Sequence, residues 1–163
     1  MIKYAFITIS DKGSKGERED GCRAVAENVL PKLNFEENYY IIVPDEIEDI
    51  QKAIIYCTDE LKLDIVFTSG GTGFSVRDVT PEATLPILEK LTPGISEAMR
   101  YKSLQITPKA MLSRAVSGIR KQSLVINLPG SPKAVSECLE FIYEPVIHGI
   151  EILKGSVSDC ARV

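Results

Sequence analysis

Asp45 and Asp78 are the acidic side chains whose surroundings suggest chemistry. Asp78 follows a strand-like run into glycines, Asp64-Ile65-Val66-Phe67-Thr68-Ser69-Gly70-Gly71-Thr72-Gly73, which continues as Phe74-Ser75-Val76-Arg77-Asp78-Val79-Thr80-Pro81. Glycine tolerates positive φ and carries no Cβ to fend off a ligand, so a strand ending in Gly70, Gly71 and Gly73 can turn its amides onto an anion such as phosphate. The stretch is not a Walker A motif, since no Gly-Lys-Ser/Thr follows, and it is not Gly-x-Gly-x-x-Gly. Alone it is equally a plain turn. A carboxylate beside a bound phosphate is unfavourable without a cation between them. At about 4 Å two unit charges repel by about 4 kcal/mol at an effective dielectric of about 20. Magnesium is the usual bridge, held by one or two carboxylates plus phosphate oxygens. Asp45 and Asp78 are therefore candidate catalytic and Mg2+-binding residues for metal-assisted chemistry at a phosphate.

Each also has a simpler explanation. Asp45 precedes a helical pattern, and Asp45 with Glu48 fits a capping-box variant. Asp78 could place negative charge near a helix opened by Thr80 as N-cap and Pro81 at the first helical position. Arg77, Arg114, Arg120 and Lys121 could pair with phosphates or be solvated charges. Ser113, Arg114 and Asn127 are further polar groups near strand ends. His148, in a helical pattern near the chain end, reads as structural, and no Ser-His-Asp or Cys-His arrangement is visible.

The elements that must hold these groups follow from apolar periodicity. Strands are expected at residues 3–9, 39–43, 64–68, 117–120 and 123–127, with Lys121-Gln122 as a hairpin turn between the last two. A helix opens near Asp20 with Cys22, Val25, Ala26, Val29, Leu30 and Leu33 on one face. Another carries Ile47, Ile50, Ile54, Cys57 and Leu61. A third, from Pro81, should turn Leu85, Leu88 and Leu91 inward and stop before Thr92. Further helices are expected at 95–104, briefly at 108–112, and from Pro132 with Ser131 as N-cap. The last should end or kink at Pro145, with a turn or two running on to Gly155. Residues 10–16 read as a flexible polar loop.

Strands and helices alternate, which predicts one α/β domain over residues 1–163: a three-layer sandwich with a mainly parallel sheet covered by helices on both faces. Ligands of such sheets bind beyond the carboxyl ends of the strands. Residues 10–16, 44–46, 69–78 and 127–131 should therefore meet at one edge.

Composition bounds the function. A chain of 163 residues with 44% hydrophobic and 26% charged residues can bury its own core, and a net charge of −4 without a basic run argues against an extended nucleic-acid surface. Cys22, Cys57, Cys138 and Cys160 are widely spaced and His148 is the only histidine, which excludes a structural zinc site or a disulfide framework. The first three thiols fall on apolar helix faces, as small hydrophobes do. The chain opens on a strand pattern and has no apolar run of about 18 residues, so no membrane span is expected and the cytoplasm is the expected location.

Six blocks resemble the Mog/MoaB family of molybdenum-cofactor biosynthesis, which includes gephyrin and plant Cnx G-type domains. They are Ile9-Ser10-Asp11, Pro44-Asp45-Glu46, Thr68-Ser69-Gly70-Gly71-Thr72-Gly73, Arg77-Asp78-Val79-Thr80-Pro81-Glu82-Ala83-Thr84, Leu112-Ser113-Arg114-Ala115 and Asn127-Leu128-Pro129-Gly130-Ser131-Pro132-Lys133. They occur in the family's order and span residues 9–133. The resemblance implies a homotrimeric α/β protein. In the adenylyltransferase branch, a Mg-dependent nucleotidyltransferase moves AMP from ATP to molybdopterin, releases pyrophosphate, and can hand its product to the molybdate-insertion enzyme. Asp45 and Asp78 match that branch's catalytic aspartates. Ser10, Asp11, Gly70, Gly71, Thr72, Gly73, Ser113, Arg114, Asn127, Gly130 and Ser131 match positions expected to bind its substrates. The Arg77-Asp78-Val79-Thr80-Pro81 block favours this branch over MoaB, a branch of less certain activity whose members could bind or scaffold molybdopterin without turnover. The chain stops soon after Gly155, short of the extension some adenylyltransferases carry. A generic nucleotide-binding module is the remaining alternative.

Overall fold

Branched and aromatic residues build the sheet. The computed structural model describes residues 1–156, so Cys160 lies outside the described residues. Strands β1 (Ile2–Ile9), β3 (Ile65–Ser69) and β6 (Ser123–Leu128) are buried almost throughout, while β2 (Phe35–Val43) is half-exposed. Near-continuous apolar runs are what parallel strands covered on both faces require. With β4 (Lys90–Leu91) and β5 (Ser117–Arg120), the sheet order is β2-β1-β3-β6-β5-β4. The first four strands are parallel; β5 and β4 run antiparallel to their neighbours. The hairpin turn is where the sequence puts it, with Lys121 at φ 55.

The chain leaves β1 through the single turn α1 (Asp11–Ser14) and helix α2 (Gly21–Val29), then returns from β2 through α3 (Ile47–Ile55) to β3, on the other side of β1. Two cores result. Tyr4, Phe6, Phe35, Phe67 and Leu128 form one, with residues of α2, α5 (Pro93–Leu104) and α6 (Pro132–Leu153). Ile7 and Val66 form the other, with Ile50 and Ile54 of α3 and Ala83 of α4 (Thr80–Thr84). The three layers are those expected. Cys22, Cys57 and Cys138 are buried free thiols, and no helix among the described residues is long and apolar enough to cross a membrane.

Several local expectations are corrected. Residues 10–16 are not wholly loop, because Ser10 caps α1 by accepting the Gly13 amide at 3.0 Å. The helix entered at Pro81 ends at Thr84. Pro86 has no N–H to bond the Glu82 carbonyl, and the chain tightens into a 3-10 turn, Leu85–Ile87. Leu85 and Leu91 are therefore exposed rather than inward, and Leu91 sits in the edge strand β4. Thr80 is the first helical residue rather than the cap. Glu46, not Asp45, stands at the N-cap position of α3, and no side chain caps that helix. Helix α6 runs through Pro145 for 22 residues. The donor lost at Pro145 faces the carbonyl of Phe141, a residue 42% exposed, while Val146 and Ile150 stay buried beyond it.

Candidate functional site

The strand order reverses between the parallel neighbours β1 and β3, which opens a crevice at their carboxyl ends. A cleft of about 260 Å³ lies there, bordered by Ser10, Asp45, Gly70, Gly71, Asp78 and Gly130. All four predicted loops contribute to it.

The glycine turn is a close-approach structure. Gly70 has φ 106, and a Cβ there would lie 2.3 Å from the Ile9 carbonyl oxygen; Gly71 has φ 66, and its Cβ would lie 2.3 Å from Thr80 Oγ1. Only glycine meets both demands. Four successive carbonyls of the turn are engaged by protein donors. The Thr80 hydroxyl donates to Gly70 O at 2.8 Å and the Thr80 amide to Gly71 O at 3.0 Å. The Arg114 amide donates to Thr72 O at 2.9 Å and its Nε to Gly73 O at 2.8 Å. With its acceptors held, the turn has N–H groups left to offer an anion.

Both aspartates lean on this turn. A Cβ at Gly71 would lie 3.2 Å from Asp45 Oδ1, and one at Gly73 would lie 2.9 Å from Asp78 Oδ2. Asp78 Oδ2 also accepts the Ser75 amide at 3.0 Å, closing a tight turn. Asp45 and Asp11 are joined reciprocally: Asp45 Oδ2 accepts the Asp11 amide at 2.8 Å, and Asp11 Oδ1 accepts the Asp45 amide at 3.0 Å. Arg77 grips Asp11 through Nε at 2.9 Å and Nη2 at 3.0 Å. Burial pushes the Asp45 carboxyl above the usual range; the Asp11 amide opposes this, and the charges of Asp11 and Asp78 add to it. The Arg77 hydrogen bonds and the Asp45 amide hold Asp11 below that range.

This donor set fits magnesium in one particular way. Among the described residues no group of three or more His, Cys, Asp or Glu converges as a metal cage. Two carboxylates beside a turn of free amides instead suit a cation that completes its shell with phosphate oxygens. Such a cation would offset the burial that lifts the Asp45 carboxyl and the repulsion from Asp11 and Asp78 that adds to it.

The other expected ligand-binding residues divide. Gly70, Gly71, Ser10 and Gly130 border the cleft. Thr72 is buried, and Ser131 caps α6 by accepting the Ala134 amide at 3.2 Å. Arg114 serves the glycine turn and pairs with Glu82. Ser113 lines a separate, mostly apolar cavity of about 230 Å³ with Met99, Pro129 and Cys138. Asn127 is wholly buried. Its Nδ2 donates to Thr68 Oγ1 at 2.9 Å and Thr84 Oγ1 at 3.1 Å, and its Oδ1 accepts the Val116 amide at 3.2 Å. Arg120 pairs with Asp59 and Lys121 with Glu89, at the opposite end of β6 from the cleft. Sequence reasoning passed over Asp20 and Cys22, which also border the cleft. Asp20 caps α2, accepting the amides of Cys22 at 3.0 Å and Arg23 at 3.1 Å, and also takes the hydroxyls of Thr8 and Tyr40. Its place just before a helix that follows the first strand end was the available signal.

Known proteins resemble this chain over most of its length. Residues 5–149 match the family described as a probable molybdopterin binding domain. A molybdopterin adenylyltransferase of Helicobacter pylori is 43% identical over 157 residues, covering 95% of this chain and 89% of that protein. The molybdopterin adenylyltransferase of Escherichia coli K12 is 41% identical over 156 residues, covering 91% and 80%. The crystal structure of the molybdopterin biosynthesis enzyme MoaB from Thermus thermophilus superposes with a TM-score of 0.90 at 42% identity, covering 95% of this chain and 98% of that one.

Proposed function

The chain belongs to the molybdopterin-binding domain family of the MogA and MoaB proteins, and from that membership we propose that it is a molybdopterin adenylyltransferase acting in molybdenum-cofactor biosynthesis. The observation that carries the reading is the meeting of Asp45 and Asp78 on the glycine turn, at Gly71 and Gly73.

In the proposed reaction an oxygen of the terminal phosphate of molybdopterin attacks the α-phosphorus of ATP. A new P–O bond forms, the bond from the α-phosphorus to the α,β-bridging oxygen breaks, and pyrophosphate leaves with that electron pair. Amides of residues 70–73 hold a phosphate group, and Ser10, Gly130 and Ser131 border the ligands. Asp45 and Asp78 would hold magnesium, directly or through water, and the ion would there supply neutralisation of the charge that develops on the leaving group. Asp11, Arg114 and Asn127 work from behind by keeping the turns in place. Positioning and charge stabilisation are the protein's main contribution, as in other phosphoryl-type transfers. The same reading takes the protein as a cytoplasmic homotrimer that passes adenylylated molybdopterin to a molybdate-insertion enzyme.

A second reading, molybdopterin binding without turnover, draws support from the family's description as a probable molybdopterin binding domain. Pyrophosphate release separates the two. The adenylyltransferase should release pyrophosphate only when ATP, Mg2+ and molybdopterin are all supplied, and Asp45→Ala and Asp78→Ala should each reduce the rate at least about 100-fold. Near-normal release in both variants would defeat the mechanism; none in the wild type, with molybdopterin still bound, would favour the binding protein.

A further inference from the structure

Arg77 lies between the two carboxylates in an unusual sense. Its neighbour in sequence is Asp78, and one of its partners, Glu46, is the neighbour of Asp45. Nη2 donates to Glu46 Oε1 at 2.7 Å and to Asp11 Oδ1 at 3.0 Å, while Nε donates to Asp11 Oδ2 at 2.9 Å. One guanidinium thus ties the turn after β3 to the turns after β1 and β2. Asp11 passes the restraint on, because its carboxylate accepts the Asp45 amide and its amide feeds the Asp45 carboxylate.

We propose that Arg77 is a positioning residue that sets the separation of Asp45 from Asp78 by fastening their two turns together through Asp11 and Glu46. The proposal deepens the adenylyltransferase reading and rests on it for its kinetic arm. The Arg77 side chain is 52% exposed, and exposed ion pairs add little to stability, so folding alone does not account for a three-point contact that spans three loops. The planar fork matters. A guanidinium can hold Asp11 bidentately while reaching Glu46, whereas an ammonium is a single point charge and does not reproduce that geometry. Arg77 is also engaged on the side of Asp11 and Glu46, so its role differs from that of a phosphate ligand. Its consequence is geometric: with the fork removed, the turn that Ser75 and Asp78 close can drift from Asp45, and a misplacement of about 1 Å in such a constellation can cost about 100-fold in rate.

Two arms test this, on Arg77→Ala, Arg77→Lys and Glu46→Gln. The first uses the ligand-free protein and needs no activity: amide hydrogen exchange resolved at Asp11 and Asp45. In Arg77→Ala both amides should exchange at least about 10-fold faster, while those of the β3 core stay protected. The second is steady-state turnover with ATP, Mg2+ and molybdopterin. Arg77→Ala should lower kcat by about 10- to 100-fold and change KM for ATP less than about 3-fold. Arg77→Lys should recover only a small part of the loss, and Glu46→Gln should move in the same direction by less. Unchanged exchange at Asp11 and Asp45 in Arg77→Ala overturns the proposal, as does a rise in KM with kcat preserved, the mark of a residue that grips ATP. A wild type that turns nothing over would count against the adenylyltransferase reading alone, since the exchange arm still decides whether the fastening exists.

Discussion

Arg114 donates Nε–H to the carbonyl of Gly73 at 2.8 Å, so the last glycine of the site's turn is held by a side chain 41 residues further along the chain. The same guanidinium donates from Nη2 to the Asp78 carbonyl at 2.7 Å. It therefore grips the turn on both sides of Asp78's own loop, from a partly exposed position outside the cleft lining.

Arg114→Ala should therefore behave as a structural lesion with a functional echo. Two carbonyls lose a charged donor, which should destabilise the protein by about 2 kcal/mol and lower Tm by roughly 4–8 °C. Thermal unfolding of the ligand-free variant checks it. A Tm equal to wild type, with only ATP affinity lost, would return Arg114 to the role of a phosphate ligand.

Alanine at Gly70 and at Gly73 should separate folding from chemistry. At Gly70 the new Cβ meets main chain, 2.3 Å from Ile9 O, at a φ of 106, and a loss of about 3 kcal/mol or outright failure to fold is expected. At Gly73 the obstacle is a movable carboxylate oxygen, Asp78 Oδ2, 2.9 Å away. Gly73→Ala should fold at a cost of about 1 kcal/mol yet displace Asp78 and lose about 100-fold in activity. Urea unfolding and pyrophosphate release, run on the same preparations, would expose a reversed order.

The two joined aspartates should respond to pH with opposite signs. Asp45 has a raised carboxyl pKa in the folded chain, so its contribution is fully present below the unfolded value of about 3.9 and is lost as pH rises through the folded value. Asp11 has a lowered one; its contribution is present above the unfolded value and is lost as pH falls through the folded value. Asp45→Asn should thus be more stable than wild type at pH 7, with the gain closing toward pH 4. Asp11→Asn should be less stable at pH 7, by a modest amount because its side chain is partly solvated, with the deficit closing at still lower pH. Urea midpoints across pH 3–8 report both. Shifts of one sign at pH 7 would contradict the electrostatic account.

Metal and nucleotide should bind as a unit. With two carboxylates and no third acidic, histidine or cysteine ligand among the described residues, Mg2+ alone should change Tm by less than about 1 °C at millimolar concentration. ATP with Mg2+ should raise Tm by several degrees through mass action, and Asp78→Asn should remove most of the Mg2+-dependent part. A large Tm rise with Mg2+ alone would point to a self-sufficient protein cage.

The buried strands and the meeting of four loops at one sheet edge were legible because continuous apolar runs such as residues 65–67 and 124–126 can be satisfied only inside a covered sheet. Asp45 and Asp78 were legible as candidates because carboxylates near an amide-rich turn pose an electrostatic problem. Partner choice was hidden. Nothing in Asn127-Leu128-Pro129-Gly130 distinguishes an amide that faces a ligand from one buried among Thr68, Thr84 and Val116. Arg114 read as a phosphate partner or a solvated charge, and its hold on the glycine turn was hidden because its acceptors are main-chain carbonyls far off in sequence. The overlong helix after Pro81 came from letting leucine spacing outrank Pro86, and the expected end or kink at Pro145 from giving a proline more weight than the apolar spacing beyond it. Burial of Val146 and Ile150 past that proline shows that packing, not propensity, set the helix length.

Asn127, with no exposed surface and hydrogen bonds to β3, to α4 and to the chain entering β5, bears on how inhibitors of such a site would be sought. A chemist who designed toward every motif residue would aim a functional group at an atom no small molecule can reach. The accessible polar handles are the main-chain donors of the glycine turn and the two acids beside it. Resistance, by the same logic, would be hard to acquire at the turn itself, where a single added carbon collides with the scaffold.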